Sequence, residues 1–242
     1  MTKTKLTAIL LLIFSFQLFS QIRLHSIAFY TDYSYPTKKR LQVTKIDAVG
    51  GGVDVSFQLF RNFLITFTGG YSLFSLQQEK AIEQWNWRFY WERYRGIIQD
   101  NLRADSTLAA YLNPVQKMDL MPLTISFKVD ISPLPNFYIR PQIGAGIFFY
   151  TRRLYLEEVW RKKFQELDYT FEYSYRNFAQ DKYGNPFSAF TSFELAYQPS
   201  DIFAVGSSLG YFYFFKTPRK FGFDQFPILD YFNIKICLTF LY

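Results

Sequence analysis

Apolar and polar residues alternate along this chain in runs of about ten, the pattern of a β-strand that shows one face to an apolar medium and the other to a polar one. The last twelve residues are the cleanest case: Phe232, Ile234, Ile236, Leu238, Phe240 and Tyr242 share one face, and Tyr231, Asn233, Lys235, Cys237, Thr239 and Leu241 share the other. Met121 to Ile131 divides the same way, with Thr124, Ser126, Lys128 and Asp130 opposite Leu123, Ile125, Phe127 and Val129. Phe187 to Gln198, Val49 to Leu59, Phe63 to Leu73, Phe137 to Phe149 and Phe203 to Phe215 follow, and Arg23 to Tyr35 is an eighth, with His25 on the face of Ile27 and Phe29. These eight strands alternate two kinds of connection. Arg61-Asn62, Ser132 to Asn136 and Pro199 to Asp201 are short and carry turn residues. Residues 36–47, 74–120, 150–186 and 216–229 are long.

Short turns at one end and long loops at the other predict an all-β, antiparallel, up-and-down transmembrane β-barrel of eight strands. The small polar residues of one face suit a narrow filled interior, and the bulky apolar ones of the other suit lipid. A soluble barrel would invert that assignment. Ten strands are the alternative count, because Tyr169, Phe171, Tyr173 and Tyr175 alternate with Thr170, Glu172, Ser174 and Arg176. Their partner segment, 154–164, carries charge on both faces, which is costly in lipid. The pair therefore reads as a hairpin beyond the membrane. Ile97 to Leu112 reads as a short helix closed by Asn113-Pro114, and Gly50-Gly51-Gly52 as a bulge or bend.

Composition agrees with this. The chain has 242 residues, 21% of them aromatic, yet its mean hydropathy is only −0.06. Residues 1–20 have a positive start, a short apolar run and small Ser20 at the end, the order of a secretory signal peptide. Residues 21–242 are then the barrel domain, placed in the outer membrane. The single cysteine, Cys237, excludes an internal disulfide framework. A net charge of +7, without a basic run, points to anionic lipid or glycan rather than nucleic acid.

On the signal segment, the loop asymmetry and the terminal strand ending in Phe240 and Tyr242, the chain resembles the small eight-stranded bacterial outer-membrane barrels of the OmpA/OmpX type. The resemblance covers the whole mature chain and implies an architecture, a C-terminal residue read by the barrel-assembly machinery, and lipopolysaccharide as a neighbour. It implies no activity.

Candidate chemistry falls in two places. Asp54, Lys128, Asp130, Arg140, Glu194 and Lys235 lie on the predicted interior face, three acidic and three basic. They are expected to form a paired network, since an eight-stranded barrel is only wide enough for its own side chains. Trp85, Trp87, Arg88, Trp91, Arg93 and Arg95, with Trp160 in the next loop, interleave aromatic faces and cations. That suits binding of a glycan, lipopolysaccharide or a protein, or else a core for the loop itself. His25 is the sole histidine, and no nucleophile, metal cluster or cofactor motif stands out, so neither enzyme activity nor a cofactor is expected. A structural or surface-recognition role is the leading reading. An accessory part of an envelope or secretion machine and a lipid-modifying barrel enzyme are the alternatives.

Overall fold

The computed structural model describes residues 22–242 except residue 79. The signal segment lies outside these residues. Eleven strands form one antiparallel sheet: β1 (Arg23–Lys39), β2 (Val43–Phe60), β3 (Phe63–Gln78), β4 (Leu108–Val129), β5 (Ile131–Leu134), β6 (Phe137–Phe164), β7 (Tyr169–Phe178), β8 (Lys182–Gly184), β9 (Phe187–Tyr197), β10 (Phe203–Phe214) and β11 (Ile228–Leu241). The order β4-β3-β2-β1-β11-β10-β9-β6 closes through β4–β6, giving a ring of eight, with β5, β7 and β8 appended to β6. The ten-strand alternative fails because β7 pairs with β6 outside the ring. Closure joins the terminal strands in register, Ile27 to Phe240 and Asp32 to Lys235, and leaves no edge within the ring.

The alternation points outward as expected. Phe127, Ile143 and Ile236 remain 57%, 66% and 63% exposed on the outer wall, a band of apolar surface that only a membrane would cover. No helix among the described residues is long and apolar enough to cross a membrane; the strands do so. Two outward carboxylates mark the loop-end border of the band. Asp119 accepts the Tyr71 hydroxyl at 2.7 Å and pairs with Arg153. Asp230, fully buried by its partners, accepts the Tyr211 hydroxyl at 2.9 Å and the Lys38 amide at 2.8 Å.

Four expectations need correction. The first predicted loop is mostly strand, with a tight turn in which Leu41 and Gln42 take positive φ. The helix read over 97–112 covers only Arg95–Ala104, and Leu108–Pro114 is already β4, paired to 156–162. The spacing of Leu108 and Leu112 mimics a helical stripe, but the strand ladder to β6 satisfies their backbone instead. The three glycines make no bulge, because β2 runs unshifted through them. A Cβ on Gly52 or on Gly70 opposite would collide with the Tyr30 hydroxyl, so the space is used by that lumenal side chain. Finally, a register shift between Leu24 and Ser26 turns His25 away from the lipid face; its Nε2 lies 3.5 Å from Asp130 inside the barrel. An extra residue in one strand re-aims its side chain in this way.

The lumen is closed twice. At the turn end Glu194 accepts Lys128 at 2.9 Å and Arg140 at 2.8 Å, and Arg140 reaches Asp130 at 2.7 Å. Lys235 stands 3.9 Å from Asp54 and over the Tyr30 ring. At the loop end the interior is mostly aromatic. Phe74, Phe148, Phe212, Phe214 and Tyr231 fill it, with Phe212 and Tyr231 stacked at 4.8 Å. The last loop folds into the mouth and adds Phe223 and Phe226 to the same core. Its backbone is clipped there: Arg40 donates to the carbonyls of Phe223 (2.8 Å) and Phe226 (3.1 Å), Arg152 to that of Gln225 (2.8 Å), and the Tyr150 hydroxyl to that of Gly222.

Candidate recognition surface

Beyond the outer-wall band, the β4–β6 ladder continues without a break from Lys128–Gln142 to Leu108–Lys162. With β7 it makes a three-stranded sheet standing on the barrel rim. One side of this sheet is covered by α1 (Ala81–Trp85), a helical turn at Tyr90–Tyr94 and α2 (Arg95–Ala104). The cover has its own core: Trp85, Trp87, Tyr90 and Ile98 from the helical segment meet Leu154, Leu156 and Trp160 from β6. This platform is therefore a small second packing unit, separate from the plug in the barrel mouth.

Its polar anchor is Glu158, which is fully buried. The Tyr94 hydroxyl donates to it at 2.6 Å, Trp160 Nε1 at 3.0 Å and Asn177 Nδ2 at 2.7 Å. Three neutral donors thus satisfy a carboxylate that lacks a cation partner at hydrogen-bond distance. Burial, with the hydrogen bonds to Glu158 and Tyr175, pushes the Tyr94 phenol well above its ordinary range. Sequence reading placed Glu158 among the charges of a projecting hairpin and missed this role. Its parity with Trp160 on β6 was the available signal.

The tryptophans divide by exposure. Trp85, Trp87 and Trp160 are buried, at 5%, 8% and 3%, and Trp91 is half-buried. Trp85 donates to the Gln180 carbonyl at 3.0 Å, and its ring carries Arg152 at 4.9 Å and Lys182 at 4.7 Å. Arg88, Arg93 and Arg95 are exposed; Arg88 pairs with Glu92 and Arg95 lies over the Trp91 ring at 4.9 Å. Two clefts result. One, of about 310 Å³, is lined by Trp85, Asn86, Trp87, Arg88, Phe89, Gln180, Asp181 and Lys182. The other, of about 290 Å³, has Trp91, Arg95, Tyr90 and Pro114 in its walls. Arg93 and Trp160 line neither cleft. Burial, and then the Arg152 charge, push the Lys182 ammonium down from its usual range.

Among the described residues no three His, Cys, Asp or Glu side chains come together to hold a metal ion. His25 Nε2 lies 3.5 Å from Asp130 without a hydrogen-bond partner, near the terminal strand ends.

A closed eight-stranded ring with an apolar outer wall, a filled lumen and a rim platform defines a small outer-membrane-type β-barrel protein. No family model matches the sequence, and no curated protein matches it. Solved structures similar to it include small bacterial outer-membrane barrels. One is Neisserial surface protein A (6% identity, covering 91% of this chain and 99% of that one, TM-score 0.47). Another is Ail, the attachment invasion locus protein of Yersinia pestis, in complex with the heparin analogue sucrose octasulfate (7% identity, 91% and 98% covered, TM-score 0.40). A third is the N-terminal β-barrel domain of Pseudomonas aeruginosa OprF (10% identity, 91% and 100% covered, TM-score 0.38). At these identities and scores the likeness says nothing about what this chain binds.

Proposed function

We propose that this is an outer-membrane surface-recognition protein, exported by residues 1–20 and anchored by a barrel that conducts nothing. The double closure of the lumen supports the second point, and the separately cored platform supports the first. An eight-stranded barrel has room for its own side chains and little else, and here both ends are filled. The chemistry offered to the outside is that of the platform. The reading is non-enzymatic.

The observation that carries a ligand class is the cleft beside Trp85. Arg88 and Lys182 flank its aromatic edges, and Lys182 already lies over the Trp85 ring. Cations beside aromatic rings suit an acidic glycan, whose apolar sugar face lies on the exposed Phe89 ring while its sulfate, phosphate or carboxylate groups meet the cations. Binding of a panel of acidic and neutral glycans to the purified, folded protein tests this. Arg88→Ala and Lys182→Ala are each expected to weaken acidic-glycan binding about tenfold, the equivalent of about 1.4 kcal/mol. Unchanged affinity in the double variant overturns the cleft assignment. Recovery of the protein as a soluble periplasmic species overturns the outer-membrane reading itself.

A further inference from the structure

β7 has an unusual edge. It pairs with β6 through ten consecutive residue pairs with no register shift, and among the described residues no strand pairs with its other side. Exposed edges in folded proteins are normally blunted by charged side chains, lysine above all, by proline or by a bulge. The sequence Tyr169–Phe178, YTFEYSYRNF, has no lysine, proline or bulge, and its two charges, Glu172 and Arg176, are paired to β6. Its residues are exposed on both faces apart from half-buried Asn177. One face is an aromatic row, in which Tyr173 stacks on Tyr175 (6.2 Å) and on Trp160 (6.5 Å). The other face carries cross-strand ion pairs, Glu172 with Arg161 and Arg176 with Glu157.

The strand is complementary to itself. An antiparallel pairing of two copies about a two-fold axis at Ser174 sets Glu172 opposite Arg176 of the second copy, and Arg176 opposite its Glu172. Each row of the extended sheet then alternates in sign: Glu157, Arg176, the second copy's Glu172, the second copy's Arg161. On the reverse face Tyr173 meets Tyr175 of the second copy and the aromatic row becomes continuous. Moving the axis to residue 172 or 176 sets like charges against each other, so the charges select one register.

Direction decides where the second copy stands. The platform sheet continues the barrel wall, and β7 runs back along it toward the membrane. An antiparallel partner runs the other way, so its barrel lies in an opposing membrane. The pairing centre is opposite Val159, ten residues beyond Phe149, or about 33 Å along the strand. We propose that β7 is a homotypic adhesion edge, joining two copies of this chain across facing membranes by β-strand addition centred on Ser174. This rests on the reading that the platform lies outside the membrane, and is independent of the glycan cleft.

The test uses the full-length protein in two populations of vesicles, with docking read by light scattering and energy transfer between lipid labels. Wild-type vesicles are expected to cluster. Glu172→Arg puts only cations in the facing rows and Arg176→Glu only anions, so each variant alone should cluster at least tenfold more slowly. Mixing the two populations restores complementary rows and should restore clustering. Both substitutions break only exposed ion pairs, worth little to the fold, and each variant must keep the gel shift between unboiled and boiled samples. Arg88→Ala with Lys182→Ala should cluster like wild type, which separates this proposal from the cleft. Dispersed wild-type vesicles, single variants that cluster like wild type, or a mixture as dispersed as its components would each overturn it.

Discussion

Glu194 is the residue on which the turn-end closure depends. It sits between Lys128 and Arg140, all three side chains at least nine-tenths buried. Removing one member of a buried ion network leaves the others uncompensated, at a cost of roughly 3–5 kcal/mol. Glu194→Leu should therefore lower the urea midpoint of the refolded barrel markedly, whereas Arg161→Ala in an exposed pair should change it by less than about 1 kcal/mol. Equal effects would mean that the lumenal charges are hydrated rather than buried. Asp105 is the pH-sensitive counterpart on the platform. Its carboxyl is drawn down to about 2 by the Thr107 hydroxyl and amide and by Lys162. A carboxyl depressed in the folded state contributes stability above its unfolded pKa, near 3.9, and loses it as pH falls toward 2. Protease cleavage between α2 and β4 should thus rise between about pH 4 and pH 2, and Asp105→Asn should remove that step.

At the scale of elements, ring and platform are held by different cores, so they should fail separately. Trp160 is buried beneath the helical cover, and Trp160→Ala should cost the platform about 3–5 kcal/mol. Expected is rapid proteolysis within 80–105 and 165–180, while the barrel still migrates as a folded species before boiling. Loss of both together would show one cooperative unit. The same division explains what the sequence discloses. All eight ring strands are legible because lipid on one side and a narrow lumen on the other enforce a strict period of two. Past the membrane that contrast fades: the outer half of β4 has helices on one face and water on the other, and Leu108, Leu112 and Pro114 imitate a helix and its stop. The lumenal aromatics were hidden for a related reason, since Phe190 and Phe212 interrupt a polar face without announcing that they meet across the barrel. The bulge at His25 has no periodic signature at all. The cationic side of the clefts was visible in the run from Trp85 to Arg95, but Lys182 and Gln180 come from a segment about ninety residues away and only the fold brings them there.

For the whole molecule, the two closures act in series, and that makes the proposed absence of conduction testable in detail. Between the aromatic plug and the ion network lies a polar chamber of about 30 Å³, lined by Asp32, Asp54, Ser192, Asn233 and Cys237 among others. That is room for a water-sized guest and no path for an ion current. Cys237 is a free, buried thiol in its wall, a reporter already in place. In the wild-type protein a small water-soluble thiol reagent should label it only on unfolding, and planar-bilayer recordings should show no unit currents. Phe223→Ala with Phe226→Ala opens the upper closure by removing the two almost wholly buried rings that the last loop adds to it. That double variant should expose Cys237 to reagent added from the loop side at least tenfold faster. It should still carry no current, because Lys128, Glu194 and Arg140 continue to bar the turn end. Unit currents in the double variant would mean that the ion network is no barrier and that the last loop alone is the gate. Rapid labelling of the native thiol would mean that the plug is open in solution, and the barrel would then have to be considered as a conduit.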